Sequence, residues 1–153
     1  MLLSQSTEYA LRIAAYLVLN MRRGPFRARE VAKEARIPVH YSSKILRKLV
    51  TAKILKGTRG HGGGFEIAQS PSTIRFIDIF EAMEGEIAPK RCVFGLSICS
   101  NKAPCMLHHR WKELNENFQD WARNTTLADV LRDWDGTPPA VRTALEPVYR
   151  TDS

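Results

Sequence analysis

The stretch Pro38-Val39-His40-Tyr41-Ser42-Ser43-Lys44-Ile45-Leu46-Arg47-Lys48-Leu49-Val50-Thr51 decides the architecture. Pro38 pre-sets φ for a helix start. Tyr41, Ile45, Leu46, Leu49 and Val50 recur at helical spacing, which predicts a helix over 39–51 with those residues toward a core. Ser42, Ser43, Lys44, Arg47 and Lys48 then form a polar, basic face. Just upstream, residues 28–35 predict a short helix with Val31 and Ala32 inward, and Arg36-Ile37 a tight turn. Two short helices about such a turn, the second basic outside and apolar inside, read as a helix-turn-helix.

Downstream, residues 54–58 and 65–68 predict two strands around Gly60-His61-Gly62-Gly63-Gly64, a hairpin tip whose glycines admit positive φ. A helix-turn-helix followed by a hairpin is a winged helix. The glycine run is not a phosphate loop, because no Gly-Lys-Ser/Thr follows it and the next element is a strand. Charge agrees with this reading. Residues 1–70 carry 13 Lys/Arg against 4 Asp/Glu, whereas residues 71–153 carry 10 against 12. Between Glu34 and Glu66 there is no acidic residue, while Arg36, Lys44, Arg47, Lys48, Lys53, Lys56 and Arg59 all fall there. An ordinary solvated surface mixes both signs, so this one-sided field favours a polyanion. The expected DNA contacts are Val39, Tyr41, Ser42, Ser43, Lys44, Arg47, Lys48, Arg59 and His61, with Arg59 at the wing tip placed for a narrow minor groove.

Working outward, Ser4 caps a first helix over 5–22, where Ala10, Leu11, Ile13, Ala14, Leu17 and Val18 make most of the circumference apolar. Gly24-Pro25 ends it. Gln69-Ser70-Pro71-Ser72 is a linker. A helix over 76–84 carries Phe76, Ile79, Phe80 and Met83 in one apolar stripe and closes at Gly85. Pro104 and Cys105 open the last long helix, in which Leu107, Trp111, Leu114, Phe118 and Trp121 recur at alternating steps of four and three. That is the a/d seam of a coiled-coil-like contact, which predicts a homodimer whose paired recognition helices read a pseudo-palindromic double-stranded operator. The buried helix of a monomer carries the same pattern. A short helix over 127–134 follows, with Leu127, Val130 and Leu131 apolar, and from Asp135 onward the composition suggests a loose tail. The expected fold is mainly α with a small β-hairpin wing. It divides into a winged helix-turn-helix at 1–70, a cysteine loop with dimerisation helices at 71–134, and a tail at 135–153.

Of the 153 residues, 44% are hydrophobic and 25% charged, the balance of a globular protein. The longest apolar run, residues 13–19, falls far short of the roughly 18 residues of a membrane span. The first residues lack a basic n-region and a cleavage site, so the expected location is the cytoplasm, with no membrane partner. There is no nucleophile elbow, dinucleotide fingerprint or pair of catalytic carboxylates. Neither an enzyme nor a small-molecule substrate is expected.

All three cysteines lie in Cys92-x6-Cys99-x5-Cys105. An odd, clustered count without a secretion signal argues against a disulfide framework, and the spacing is not the Cys-x2-Cys of a zinc knuckle or redox motif. The Gly-, Ser-, Asn- and Pro-containing intervals make a loop able to wrap something larger than one ion. Three thiolates are soft donors suited to an iron–sulfur cluster, zinc or copper(I). A 4Fe–4S cube takes one ligand per iron, so a fourth is needed. His108 stands three positions after Cys105, expected one turn along the same helical face. Glu8, in the first helix, reaches a cluster only through the fold or across a dimer. Their plainer readings are a surface histidine beside His109 and a first-turn carboxylate facing the helix dipole.

Four stretches together carry a resemblance to a family. They are Ser6-Thr7-Glu8-Tyr9-Ala10-Leu11-Arg12, Arg59-Gly60-His61-Gly62-Gly63-Gly64-Phe65, the three-cysteine loop, and Cys105-Met106-Leu107-His108-His109-Arg110-Trp111. Over residues 1–133 the chain resembles the Rrf-two (Rrf2) family of bacterial winged-helix regulators, whose members include IscR, NsrR and RirA. The resemblance implies a homodimeric transcription factor, a repressor, holding an iron–sulfur cluster through Cys92, Cys99 and Cys105. His108 matches the histidine ligand position of IscR-like members, and Glu8 the carboxylate that NsrR-like members contribute from the other subunit. The six-residue first interval is closer to NsrR- or RirA-like spacing, which favours Glu8 and a 4Fe–4S cluster over a 2Fe–2S one. The implied signals are nitric oxide, redox state or iron supply. The rival readings are a cluster-free thiol switch using the same cysteines and an iron–sulfur electron-transfer protein. The wing assignment predicts that Arg59→Ala weakens operator binding strongly in a mobility-shift assay while Glu146→Ala leaves it unchanged. Equal binding by wild type and Arg59→Ala would sink it.

Overall fold

The computed structural model describes residues 3–86, 92–96 and 98–133. Its elements run α1 (Gln5–Leu19), α2 (Ala28–Glu34), α3 (Val39–Thr51), β1 (Leu55–Thr58), β2 (Gly64–Ile67), a single 3-10 turn (Pro71–Thr73), α4 (Phe76–Glu84), α5 (His108–Asn124) and α6 (Leu127–Asp133). The winged helix-turn-helix and the long late helix are both present. The expected tail at 135–153 lies outside the described residues, as does Trp134.

α1 is the axis of the core. Ala10 and Ala14 keep its surface low, so α3 and α4 approach closely, and Ile13, Leu17 and Val18 fill the space between them. Ile45, Leu46 and Leu49 of α3 meet them from one side, with Ile74, Ile79 and Leu127 from another. At about 1.5–3 kcal/mol for each fully buried Ile or Leu, this single cluster binds α1 and α3 to everything after the wing. α4 is wider in its packing than one stripe. Ile77 is buried too, in a second cluster with Phe80 and Ala122 of α5.

Boundaries shift for local reasons. α1 stops at Leu19 rather than Arg22, because the Asn20 side-chain amide turns back onto the Tyr16 carbonyl at 2.8 Å. α2 ends at Glu34, with Ala35 as its cap, before Arg36 takes φ +53° in the turn. The hairpin pairs Leu55 with Ile67 and Thr58 with Gly64, so Ile54 and Ala68 lie just outside the strands and Gly64 inside. A salt bridge of 2.6 Å joins the facing pair Lys56 and Glu66. The wing also gains a third rung that the sequence reading did not include: Phe26 bridges Phe65, with N–H···O distances of 3.0 and 2.7 Å.

Two orientations on α3 differ from expectation. Ser42 is fully buried rather than on the basic face, its hydroxyl donating to the Val39 carbonyl at 2.7 Å. Tyr41 is exposed rather than in the core, its ring edge-on to Tyr9 at 6.0 Å. The long helix starts at His108, not at Pro104 or Cys105. Cys105 and His108 are therefore not stacked along one helix; a turn with the His108 N–H on the Cys105 carbonyl at 3.1 Å brings them together. The seam residues also divide. Phe118 stacks on Phe80 at 5.5 Å within the chain, whereas Leu114 and Trp121 keep about half of their surface, 49% each.

The third rung sets a steric limit. A Cβ on Gly64 would lie 2.4 Å from the Phe26 carbonyl oxygen, and backbone cannot swing away as a side chain can. Gly64→Ala is expected to destabilise the protein by about 1–3 kcal/mol, the usual scale of overpacking, read as a lower urea midpoint. An unchanged midpoint would show that the Phe26 rung is not held in solution.

Candidate nucleic-acid interface and cysteine site

The exposed side of α3 and the wing form one surface. Val39, Tyr41, Ser43, Lys44 and Arg47 are exposed on α3, and Arg59 and His61 at the wing. Among the described residues Lys44, Arg47 and Arg59 form no ion pair, so their charge is free to act outward. Between helix and wing lies a cleft of about 380 Å³, floored by Val50 and Phe65 and rimmed by Ser43, Arg47 and Arg59. Two expected contacts stand apart from this face. Ser42 is buried, as described above. Lys48 is half-buried and turns toward α4, donating from Nζ to the Met83 carbonyl at 3.0 Å.

That carbonyl belongs to the last turn of α4, whose C-terminal end is a junction. Glu84 accepts hydrogen bonds from the hydroxyls of Ser4 and Thr7, while Ser4 caps α1 by accepting from the Thr7 N–H at 3.3 Å. A carboxylate at a helix N-terminus also faces the positive end of the helix dipole. The Ser4 hydroxyl foremost, then that of Thr7, holds the Glu84 carboxyl below its usual value, and Lys48 adds in the same sense. One end of one helix therefore touches the cap of α1 and helix α3, shortly before the cysteine-bearing stretch in the sequence.

In the loop the cysteines and His108 stand in pairs. Cys92 is buried and Cys99 and Cys105 half-buried, all as free thiols. The Phe94 backbone N–H lowers the Cys92 thiol, and a hydrogen bond from Cys105 acts in the same direction. Cys105 is raised, first because it donates to Cys92 and then by burial. The second pair is Cys99 and His108, with Sγ 3.4 Å from Nδ1. His108 is 2% exposed, so the surface-histidine reading does not describe it. Its other ring nitrogen, Nε2, lies 2.7 Å from Asn101 Oδ1. Glu8 is half-buried in the first turn of α1 and makes no side-chain hydrogen bond or ion pair among the described residues. Among those residues no three His, Cys, Asp or Glu side chains converge on a point where a single metal ion would sit. Three thiols and an imidazole in two adjoining pairs fit the soft donor set of an iron–sulfur group. Asn101 and Glu84 escaped the sequence reading. Each sits in a stretch whose composition says only loop or helix end, and its partner is set by tertiary structure.

The profile of the Rrf2 family, described as iron-dependent transcriptional regulators, matches residues 3–133. The chain belongs to the Rrf2 family. It is a transcriptional regulator of that family, and such regulators act on DNA. A protein of Aquifex aeolicus assigned as an HTH-type transcriptional regulator is 33% identical over 133 residues, 86% of this chain and 92% of its own length. Among solved structures, CymR, the global cysteine regulator of B. subtilis, matches with TM-score 0.74 at 23% identity, covering 87% of this chain and 98% of that one. IscR of T. potens matches with TM-score 0.70 at 21% identity, covering 86% of each chain. These two likenesses are of fold, and they place the Rrf2 winged helix where this chain has it. No helix among the described residues is long and apolar enough to cross a membrane.

The junction gives this Rrf2 regulator a pH signature. Because the folded Glu84 carboxyl is held below its ordinary value near 4.5, its contribution is fully present above that value and is lost as pH falls through the lowered one. Glu84→Gln is expected to lower the thermal midpoint at pH 7, and the gap to wild type should narrow progressively as pH falls below the ordinary carboxyl value of 4.5. A gap that is the same at pH 7 and pH 3.5 would contradict the assignment.

Proposed function

We propose that the protein is a homodimeric DNA-binding regulator, a repressor, whose cysteine loop holds an iron–sulfur cluster and reports its state to the reading head. One observation carries the reading. A buried imidazole lies against Cys99 in the same short segment that pairs Cys92 with Cys105. Cys92, Cys99, Cys105 and His108 are the four donors. Four donors serve a 4Fe–4S cube at one per iron, the favoured form, or a 2Fe–2S rhomb at two per iron. When bound, the cluster supplies an iron centre sensitive to nitric oxide, oxygen and iron supply. The residues around it do the rest. The thiolates and the imidazole tie the loop between α4 and α5. Glu84 and Met83 tie the end of α4 to α1 and α3. Loss of the tie frees the loop and loosens the junction under the recognition helix.

On the DNA side, Lys44 and Arg47 face phosphates from α3, with Val39, Tyr41 and Ser43 toward base edges, and Arg59 and His61 reach from the wing. The half-exposed Leu114 and Trp121, with Trp111 and Leu107, supply the two-fold seam that sets the spacing of paired recognition helices. The division into reading head and sensor half follows the chain near residue 70, although both share one core. A change of a few kcal/mol in relative affinity suffices for such a switch.

A second reading has its own observation. Cys92 and Cys105 are near enough to act on each other's thiol, lowering Cys92 and raising Cys105, a proximity that suits a thiol pair closing into a disulfide. In that version oxidised glutathione takes two electrons and the two thiol protons, and Cys92–Cys105 forms with no metal involved. Anaerobic native mass spectrometry of the dimer, repeated with Glu8→Ala and His108→Ala, separates the readings. Iron and sulfide on wild type, lost with His108→Ala and kept with Glu8→Ala, is the expected result. Loss with Glu8→Ala alone moves the fourth ligand to the partner subunit. Equal operator affinity of cluster-bound and cluster-free protein would defeat the sensing mechanism, and a colourless anaerobic preparation would leave the thiol switch.

A further inference from the structure

His108 is buried, whereas His40, His61 and His109 are all exposed. A buried imidazole needs a partner for each ring nitrogen, and the loop supplies both. Nδ1 faces Cys99 Sγ at 3.4 Å and Nε2 faces Asn101 Oδ1 at 2.7 Å. An amide oxygen has no proton to give, so the short contact to Asn101 requires Nε2 to carry the hydrogen. This holds whether the ring is neutral or cationic. Nδ1 is therefore the nitrogen left to face the thiols.

We infer that Asn101 is a positioning residue, whose side-chain carbonyl fixes the His108 ring so that Nδ1 is presented to the group held by Cys92, Cys99 and Cys105. The inference rests on His108 being the fourth donor. Its chemistry is general, since a ligating histidine is oriented by what its other ring nitrogen donates to. The placement here is economical. Asn101 lies two residues after Cys99 and seven before His108, so the loop that brings two thiols also brings the brace. The turn from Cys105 delivers the ring to it, with the His108 N–H on the Cys105 carbonyl at 3.1 Å. Asn101 touches neither the thiols nor the DNA-facing surface in any described hydrogen bond, so its action runs through His108 alone.

The test uses full-length wild type, Asn101→Ala, Asn101→Asp and His108→Ala. Aspartate keeps an acceptor oxygen where alanine removes it. In metal-free protein with 15N-labelled histidine, the His108 Nε2–H is expected as a downfield, slowly exchanging proton in wild type and Asn101→Asp. It should be absent in Asn101→Ala. In anaerobically reconstituted protein, iron transfer to a chelator is expected to be at least about 10-fold faster for Asn101→Ala, the lower end of what loss of such a partner costs. Asn101→Asp should stay within about threefold of wild type. Wild-type proton exchange and iron retention in Asn101→Ala, with His108→Ala losing iron, would overturn the inference alone. Iron retention by His108→Ala would overturn the fourth-donor reading and the inference with it. Rapid loss in both Asn101 variants, with equal unfolding midpoints, would mark Asn101 as shaping the loop rather than bracing the ring, and would also overturn the inference.

Discussion

The C-terminal turn of α4 is the constraint on which the rest depends. Its final residues meet two other parts of the chain, α3 and the start of α1, within two positions. The Met83 carbonyl takes the Lys48 ammonium, and Glu84 takes the hydroxyls of Ser4 and Thr7. A helix C-terminus leaves carbonyls without partners inside the helix, and a cation on one of them satisfies the backbone and the dipole together. The helix N-terminus of α1 has the opposite need, which a carboxylate answers. The two ends complement each other, and α3 is drawn in by its own lysine. Helix α3 is thus tied to the C-terminal end of α4.

Through α4 the cysteine segment is joined to the same core and polar ties that hold α1 and α3. The core beneath is continuous from α1 through α3 to α4 and α6, and close-packed cores pass on displacement rather than absorbing it. The polar ties at Lys48 and Glu84 lie at the end of α4, beside that core. In this loop Val93, Phe94, Leu96, Ile98 and Met106 are exposed, whereas Cys92 and His108 are buried and Cys99 and Cys105 half-buried.

Much of the fold was legible from residue order. The 39–51 helix and the 76–84 helix lie where apolar spacing puts them, because an amphipathic period leaves one way to bury the stripe. The hairpin followed from glycine content and flanking β-formers, although its third rung at Phe26 did not. Nothing local marks a residue thirty-nine positions away as a strand partner. Ser42 and Tyr41 exchanged their expected sides because helical spacing fixes a face only to within about one residue. A serine can also be buried once its hydroxyl returns to the Val39 carbonyl.

For the site, the sequence by itself determined the candidates: three cysteines in one loop, a histidine three residues on, and a basic stretch free of acids. These are matters of residue type and spacing. Tertiary structure alone decided how they are used. It buried His108 against Cys99, paired Cys92 with Cys105, aimed Asn101 at the far ring nitrogen, and turned Lys48 from the basic face to α4. The physical reason is that hydrogen bonds act over about 3 Å. Only a folded chain brings residues as distant as Ser4 and Glu84, or Lys48 and Met83, within that reach.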